Sequence, residues 1–283
     1  MASFNKFFQI FKKNNKQNVE NYLDAHPGAA AEKDDDGTFP LHYVAFNLNL
    51  DVVKIILDAH PEAAKVKDDD GNFPLHYVAF NLNLDVVKII LDAYPEAAAE
   101  KDIDGLFPLH SAARYNSNLE VVKIILDAHP QAAAEKNVGG EFPLYYAVRN
   151  SNPEVVKIIL NAYPQAAAGK DNYGCLPLHD AAMYNNPEVV KIILDAHPQA
   201  AAEKDVKGEF PLYYAAENKN PEVEKLLLRA TVRVIRWPSS AKVIQRAWRE
   251  CRYNPDYNMC ERVFEKNIED TVRNYLPSNN YNF

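Results

Sequence analysis

The residues of this chain best suited to metal binding or to proton transfer at neutral pH are its eight histidines. Four follow Pro-Leu directly and four precede Pro directly. They are His42, His76, His110 and His179 in the first context and His26, His60, His129 and His197 in the second. Equivalent histidines on stacked helices, about 8–10 Å apart, are too distant to share one metal ion. Tyr145 and Tyr213 replace histidine in the first context, which a ligand position would not tolerate. The histidines are therefore predicted to be structural, and no metal site is expected.

Carboxylates and cysteines are the other groups that could bind ions or react. The acidic runs Asp34–Asp36 and Asp68–Asp70 do not meet the requirements of an EF-hand loop, namely spaced oxygen ligands, a central glycine and a distal Glu. We interpret them as solvated turn residues that favour the following helix. The cysteines, at positions 175, 251 and 260, lack metal-binding spacing and are predicted to be reduced thiols of a cytoplasmic protein. No G-x-x-x-x-G-K-[ST], G-x-S-x-G or H-E-x-x-H motif occurs, so the sequence predicts neither an enzyme nor a cofactor.

Charge divides the chain into an acidic body and a basic end. The net charge is −8. Residues 229–283 hold ten basic and six acidic residues, net +4, and residues 1–228 hold 21 and 33, net −12. An acidic body repels phosphates, so nucleic acid is not an expected partner. No run of 18 apolar residues occurs, and the basic N-terminus has phenylalanines at helical spacing, so neither a membrane span nor a secretory signal is expected. We expect a monomer.

An internal repeat sets the elements that carry these residues. The segment FPLH, or a close variant, begins at six positions separated by 34 or 35 residues. These are Phe39, Phe73, Phe107, Phe142, Leu176 and Phe210. A glycine stands three residues before each proline, and a V-V-K-I-I-L block, or V-E-K-L-L-L in the last unit, begins 12 or 13 residues after it.

Each unit has the composition of a turn, a short helix, a loop and a second helix. The glycine suits a turn that needs positive φ, and the proline suits the first turn of a helix. In the first unit these signals predict helices over Leu41–Phe46 and Leu50–Ala59, separated by a polar break. Such a unit buries its apolar stripe only when units stack, so the sequence predicts an all-α helical solenoid.

This unit resembles the ankyrin repeat. The resemblance rests on Gly37, Pro40, Leu41, His42 and Ala45, on the V-V-K-I-I-L block, and on their equivalents in each unit. Two departures occur. Phe or Leu replaces the first residue of the family's T-P-L-H, which removes the usual hydroxyl-to-histidine hydrogen bond. The ending L-D-A-H/Y-P-x-A-A replaces L-L-x-x-G-A, which is expected to lengthen the second helix or its exit loop.

The resemblance implies an ankyrin-type solenoid over about residues 17–230, within three segments. Residues 1–33 are predicted to form an N-terminal capping helix and a half repeat, residues 34–230 six ankyrin-type repeats, and residues 231–283 a basic linker with two C-terminal helices that cap the array. The implied function is a non-enzymatic scaffold or adaptor that binds a protein partner, of unidentified nature, on the concave face.

By alignment, the first helices of the repeats present an aromatic-rich set of candidate partner-binding residues on that face. They are Tyr43, Phe46, Asn47, Tyr77, Phe80, Asn81, Arg114, Tyr115, Tyr146, Arg149, Tyr184 and Tyr214. A tyrosine offers a large contact area with a polar end, so the tyrosines at equivalent positions 43, 77, 146 and 214 are predicted to be exposed anchors outside the core. For Phe46 and Phe80, packing between repeats is an equal alternative.

The C-terminal segment carries a second resemblance. Ile244, Gln245, Trp248 and Arg249 resemble the start of an IQ motif, through which other proteins bind calmodulin-like proteins. Glu250 and Asn254 depart from that motif. Besides capping the array, this helix could therefore make the chain a calmodulin-like-protein-binding module, and a third alternative is a structural component of a larger assembly. The combination of array and tail also resembles ankyrin proteins of large DNA viruses of protists, which would place the protein in the host cytoplasm.

Overall fold

The structure, a computed structural model, describes residues 6–10, 13, 15–184, 186–217 and 220–234 of the 283-residue chain. Across this described part the secondary structure is helical, with turns and without a β-strand. No helix in these ranges is both long enough and apolar enough to span a lipid bilayer.

Six helix pairs, here called repeats 1 to 6, follow one another along the described chain. Their first helices are Pro40–Val44, Pro74–Val78, Pro108–Tyr115, Pro143–Asn150, Pro177–Tyr184 and Pro211–Glu217. Their second helices are Leu50–Ala59, Leu84–Ala93, Leu119–Ala128, Pro153–Ala162, Pro187–Ala196 and Pro221–Val234. A helical turn at residues 6–10 and the helix Lys16–Ala25 precede repeat 1. The prediction of an all-α repeat solenoid is confirmed.

The turn that opens each repeat depends on its glycine. Gly37 has φ +70°, and the equivalent glycine of every repeat is also left-handed, a conformation that costs an L-residue free energy. The proline three residues later begins the first helix, where its missing N–H breaks no hydrogen bond.

The first helix is capped by its histidine although the threonine hydroxyl is missing. The Phe39 N–H donates to Nδ1 of His42 over 3.2 Å, so Nε2 carries the proton and donates to the carbonyl of Val66, in the exit segment of repeat 1, over 3.1 Å. His76 accepts the same capping bond, but its Nε2 reaches the carbonyl of Leu106, in the opening turn of repeat 3, at 3.3 Å. The histidine therefore joins the start of its helix to the exit segment of its own repeat or to the opening turn of the next.

The second helix is capped at both ends by local sequence. The Asn49 side chain accepts a hydrogen bond from the Asp51 N–H over 3.1 Å at the start, and the helix ends at Ala59, before His60 and a proline. The chain then forms a 3₁₀ helix, Pro61–Lys65, that buries two alanines. The same short helix follows every later second helix in the described part except the last: Pro95–Ala99, Pro130–Ala134, Pro164–Ala168 and Pro198–Ala202. The altered ending therefore forms the end of the second helix and, after it, a 3₁₀ helix in the exit segment.

One apolar core runs through the stack. The second helices of repeats 1 to 5 contribute the two valines and the second isoleucine of the V-V-K-I-I-L block, and that of repeat 6 contributes Val223 and Leu227. Each first helix contributes a leucine and nearby small residues such as Ala45, and all these side chains are almost fully buried. These positions connect from Phe7 to Leu227 as one cluster. Because each repeat covers the apolar side of its neighbour, burial of apolar surface stabilises the array as a whole.

Two polar ladders join neighbouring repeats along their edges. At the opening turns, a backbone N–H of one repeat donates to a turn carbonyl of the preceding repeat, for example Asp69 to Asp36 over 3.1 Å. At the loops after the first helices, the amides of Asn81, Asn116 and Asn150 each donate to two carbonyls of the preceding repeat, at 2.8–3.2 Å. We call these three residues the asparagine ladder.

Candidate functional site

The tyrosines predicted to be exposed anchors are half-buried and bonded to their own repeats. The hydroxyls of Tyr43, Tyr77 and Tyr214 donate to a carboxylate of the opening turn nine residues earlier, over 2.5–2.6 Å. The Tyr146 hydroxyl instead accepts from the Asn137 amide over 2.9 Å. Their rings pack against the core. The prediction that these rings lie exposed and outside the core is wrong, because each ring braces its helix against the turn below it.

Burial and the neighbouring carboxylate both oppose ionisation of these phenols. Burial, and then the hydrogen bond to Asp34, raise the pKa of Tyr43 to about 12. The same causes raise the pKa of Tyr77 and of Tyr214 further. These hydroxyls therefore remain hydrogen-bond donors at any physiological pH and have no role as bases.

The predicted asparagine contacts are also largely committed within the array. Asn81 is only 3% exposed because its amide lies in the asparagine ladder, so its predicted exposure is wrong. Asn47 is half-buried, and its side-chain oxygen accepts from the Asn49 N–H over 2.8 Å. The Asn81 side chain is therefore fully used within the array, and the side-chain oxygen of Asn47 is used within its own loop.

An exposed run of rings lies across the first helices instead. Phe46 is 49% exposed, and its ring lies 5.7 Å from that of Phe80 in repeat 2. Phe80 stacks on Tyr115 of repeat 3 at 4.8 Å, and Tyr115 is 59% exposed. The Arg114 guanidinium lies 5.6 Å from the Tyr115 ring and 5.4 Å from that of Tyr184 in repeat 5, which is 40% exposed. We call these five residues the aromatic stripe.

The stripe resolves the two alternatives for the phenylalanines. Phe46 and Phe80 pack against each other between repeats, yet Phe46 keeps about half of its surface exposed. The extra residue of repeat 3 lies between Pro108 and Asn116, and the first helix there extends to Tyr115. That extension carries the Tyr115 ring to the surface while Asn116 keeps its place in the ladder.

Arg149, another predicted contact residue, is held within the array. Its guanidinium pairs with Glu141 of the same repeat and, over 2.7 Å, with Asp180 of repeat 5. It lies 5.4 Å from the centre of the Tyr146 ring. We call Glu141, Arg149 and Asp180 the ion triad.

The triad shifts the pKa values of its members in different directions. Burial raises the pKa of Asp180 to about 6, although Arg149 acts to lower it. For Glu141, burial also acts to raise the pKa, but the hydrogen bond and charge of Arg149 outweigh it and the pKa falls. The two carboxylates raise the pKa of Arg149 despite its burial, so the guanidinium stays charged. The triad is therefore a charged, largely internal network at neutral pH.

A pocket opens between the opening turns and first helices of repeats 1 and 2. Its volume is about 200 Å³. The lining residues are Asp36, Thr38, His42, Tyr43, Phe46, Asp69, Asp70 and Tyr77. Small-molecule sites commonly measure about 300–1,000 Å³, so this pocket is nearer to the size of one side chain. We call it the N-terminal pocket.

The turn tips carry exposed apolar residues that sequence reasoning missed. Ile103, Val138, Tyr173 and Val206 are 65–69% exposed and belong to repeats 3 to 6. At the corresponding places repeats 1 and 2 have aspartates. The signal was available in the sequence, where the D-D-D-G turns of the first two repeats give way to D-I-D-G, N-V-G-G, D-N-Y-G and D-V-K-G.

The buried histidines act in capping and packing. Burial lowers the pKa of His76 to about 4 and that of His110 to about 3. Burial also lowers the pKa of His42 and of His179. In repeat 4 the hydroxyl of Tyr145 takes this place, 2.6 Å from the carbonyl oxygens of both Gly169 and Cys175. Within the described ranges no group of three or more His, Cys, Asp or Glu residues could hold a metal ion.

The predicted contacts in the tail, Ile244, Gln245, Trp248 and Arg249, lie outside the described residues. So do the two predicted C-terminal helices and the proposed cap. The IQ-like segment remains a prediction from sequence.

Fold and surface together define a helical-repeat solenoid, in which a uniform core supports surface side chains that vary from repeat to repeat. Comparison with known families identifies it further. The family model described as Ankyrin repeats (3 copies) matches three successive stretches, residues 7–101, 94–168 and 164–235. The chain belongs to the ankyrin-repeat family, whose members are typically non-enzymatic and generally serve as protein–protein interaction modules. A search of curated proteins finds no match to the chain.

Proposed function

We propose that this protein is a non-enzymatic scaffold that binds a protein partner across the first-helix face of its array. The observation that carries the proposal is the aromatic stripe. Its rings and guanidinium follow one another at 4.8–5.7 Å across repeats 1, 2, 3 and 5. Exposed aromatic residues and arginine are the side chains most enriched at the energetic centres of protein interfaces.

The physical reason for a partner is the cost of leaving these rings in water. Contiguous apolar surface on a soluble protein favours association. The stripe joins rings to a guanidinium, so a partner surface can gain apolar burial and charge-assisted hydrogen bonds together. The half-buried tyrosines support the stripe from below and contribute shape more than contact.

The test is co-purification of partners from the native cell with full-length protein and with a double variant, Tyr115→Ser with Tyr184→Ser. We expect the partner recovered with the wild type to be lost or reduced at least tenfold, because two exposed anchors disappear. The control is Tyr173→Ser, which removes a tyrosine that is 69% exposed at a turn tip, more exposed than either residue of the double variant. Loss of the partner with the control, and retention with the double variant, would move the binding site to the turn tips.

The IQ-like tail supports a second, separate proposal. The sequence Ile244-Gln245 with Arg249 favours binding of a calmodulin-like protein by the C-terminal segment, in the cytoplasm. A pull-down with calmodulin, with and without Ca²⁺, tests it directly. The control is the double variant Ile244→Ala with Gln245→Ala, and binding that is unchanged by these substitutions would contradict the IQ interpretation.

A further inference from the structure

The N-terminal pocket combines aromatic walls with an acidic rim. The rings of Phe46 and Tyr77 lie 5.4 Å apart at an interplanar angle of 65°, so one presents its edge to the other and two surfaces meet at a corner. The hydroxyl bonds of Tyr43 to Asp34 and of Tyr77 to Asp68 fix the orientation of these rings. The tyrosine rings of the pocket are thus held in place by hydrogen bonds to two carboxylates, Asp34 and Asp68, that do not line it.

In the part of the chain that the structure describes, no cation pairs with the carboxylates at the rim of this pocket. None of the ion pairs within the described residues includes Asp36, Asp69 or Asp70. The lysines just before the opening turns of repeats 1 and 2 contact other groups. Lys33 lies over the Phe39 ring at 4.8 Å, and Lys67 pairs with Glu100 over 3.1 Å. The rim therefore presents negative charge next to aromatic faces, which are themselves electron-rich.

The same place between repeats 4 and 5 shows how such a site is neutralised. Counted from the proline of each first helix, Arg149 is equivalent to Phe46, and Tyr146 is equivalent to Tyr43. There the chain supplies its own guanidinium, which lies over the tyrosine ring and pairs with two carboxylates. Between repeats 1 and 2 the tyrosine ring is present, but Phe46 stands where the arginine would be, and Thr38 and Tyr77 stand at the places of Glu141 and Asp180. The carboxylates of this pocket come from the opening turns instead.

We propose that the N-terminal pocket binds the guanidinium of an arginine side chain from the partner protein. The inference rests on the proposed function, since it assigns a chemistry to one part of the partner-binding face. A guanidinium stacks on aromatic rings and donates hydrogen bonds to carboxylates. Arg149 does both within the chain, with one hydrogen bond to Asp180 and one to Glu141. A metal ion does not fit, because no group of His, Cys, Asp or Glu in the described residues converges closely enough to hold one.

The experiment is an NMR titration of the full 283-residue chain with ring-labelled tyrosine and phenylalanine. The probe is N-acetyl-arginine-N-methylamide, and the comparison compound is N-acetyl-citrulline-N-methylamide, which keeps the shape but lacks the charge. At matched ionic strength we expect saturable shifts of the Tyr43, Phe46 and Tyr77 ring signals with the arginine compound. Its affinity should exceed that of the citrulline compound at least tenfold.

Variants locate the binding. The double variant Asp69→Asn with Asp70→Asn should weaken the arginine compound at least fivefold, and Phe46→Leu, which removes only the ring, should also weaken it. The control is Asp35→Asn, which removes one carboxylate charge from the same kind of turn at a residue that does not line the pocket. Its effect should stay below twofold.

Three results would overturn the inference: equal affinity for the citrulline compound, an equal effect of Asp35→Asn, or no response from the full chain. The last includes the case in which the chain's own basic C-terminal segment already fills the pocket. Tyr115 and Tyr184, the residues that test the proposed function, lie outside this pocket. Partner binding and arginine binding can therefore fail independently.

Discussion

The groove between repeats 1 and 2 and the groove between repeats 4 and 5 have the same backbone and opposite electrostatic states. In the first, rings and carboxylates surround an open pocket. In the second, Arg149 closes the equivalent place by pairing with Glu141 and Asp180. The core residues beneath are nearly the same in both, so the fold does not decide this difference. Three differences at equivalent positions, Phe46 for Arg149, Thr38 for Glu141 and Tyr77 for Asp180, separate the open groove from the internal ionic contact.

The largest expected effect is removal of the arginine from the closed groove. Arg149→Met leaves two partly buried carboxylates without their partner, and we expect a loss of about 3 kcal/mol in the free energy of unfolding at pH 7. The loss should shrink at pH 5, because Asp180, whose pKa is already raised to about 6, then binds a proton and no longer carries an uncompensated charge. Urea unfolding at both pH values measures this.

The control introduces the same residue, methionine, at position 46, which is the equivalent position in the open groove. Phe46→Met should cost less than about 1 kcal/mol, since it exchanges a half-exposed apolar side chain for another. Equal losses in the two variants would show that the ion triad contributes nothing beyond side-chain volume.

A smaller effect on stability is expected from protonation of the buried histidines. In the first three repeats these histidines occupy the position that Tyr145 occupies in repeat 4. His76 and His110 have folded-state pKa values of about 4 and about 3, below the value of about 6.5 in an unfolded chain. The unfolded chain therefore binds protons first as the pH falls. The contribution of each neutral histidine to the free energy of unfolding is fully present above about pH 6.5. It is lost as the pH decreases towards the folded-state pKa, by up to about 1.4 kcal/mol per pH unit for each histidine.

Exchanging one histidine for the arrangement of repeat 4 should reduce this acid sensitivity. Tyr145 is accompanied by Gly169, where a Cβ would lie 2.2 Å from the Phe142 ring, so the larger side chain and the glycine belong together. Between pH 7 and pH 5, the double variant His110→Tyr with Glu135→Gly should lose about 2 kcal/mol less of its free energy of unfolding than the wild type does. His110→Tyr alone, which keeps the Cβ at position 135, should be less stable than the double variant at both pH values. An unchanged pH profile in the double variant would contradict the assignment of acid sensitivity to His110.

The smallest effect closes the open groove by the same device that the chain uses in repeat 4. In Phe46→Arg, the new guanidinium lies beside the pocket carboxylates, and we expect affinity for the arginine compound to fall at least tenfold, about 1.4 kcal/mol. Phe80→Arg makes the same exchange one repeat later, outside the pocket lining, and should change the affinity less than threefold at 0.15 M salt. If both variants bind the compound as wild type does, the two grooves are not equivalent sites.

The sequence predicted the architecture because each structural role recurs six times. The glycine specifies a turn, the proline the start of a helix, and the V-V-K-I-I-L block a buried helical face, while their regular spacing predicts that the repeats stack. Side-chain exposure was harder to predict. Helical phase places Tyr77 on the outer side of its helix, but whether its ring stands in water depends on the turn nine residues earlier, which supplies Asp68 as a hydroxyl acceptor.

Partnerships between repeats were not predictable for a related reason. Asn81 reads as a polar loop residue, and nothing in its own sequence indicates that two carbonyls of the preceding repeat lie within 2.8 Å of its amide. Arg149 likewise reads as a free surface charge until repeat 5 brings Asp180 against it. Residues that act within a repeat were therefore predicted better than residues that act between repeats.

The asparagine ladder gives the array a direction. Each amide donates toward the N-terminal neighbour and none of the three donates toward the C-terminal one. Detaching a repeat at either end breaks the same kind of bonds, and water then satisfies the amide as well as the carbonyls, so the ladder does not make one end fray first. Its consequence is one of assembly order. Because donors and acceptors lie on opposite sides of a repeat, only a head-to-tail stack pairs each of these amides with carbonyls.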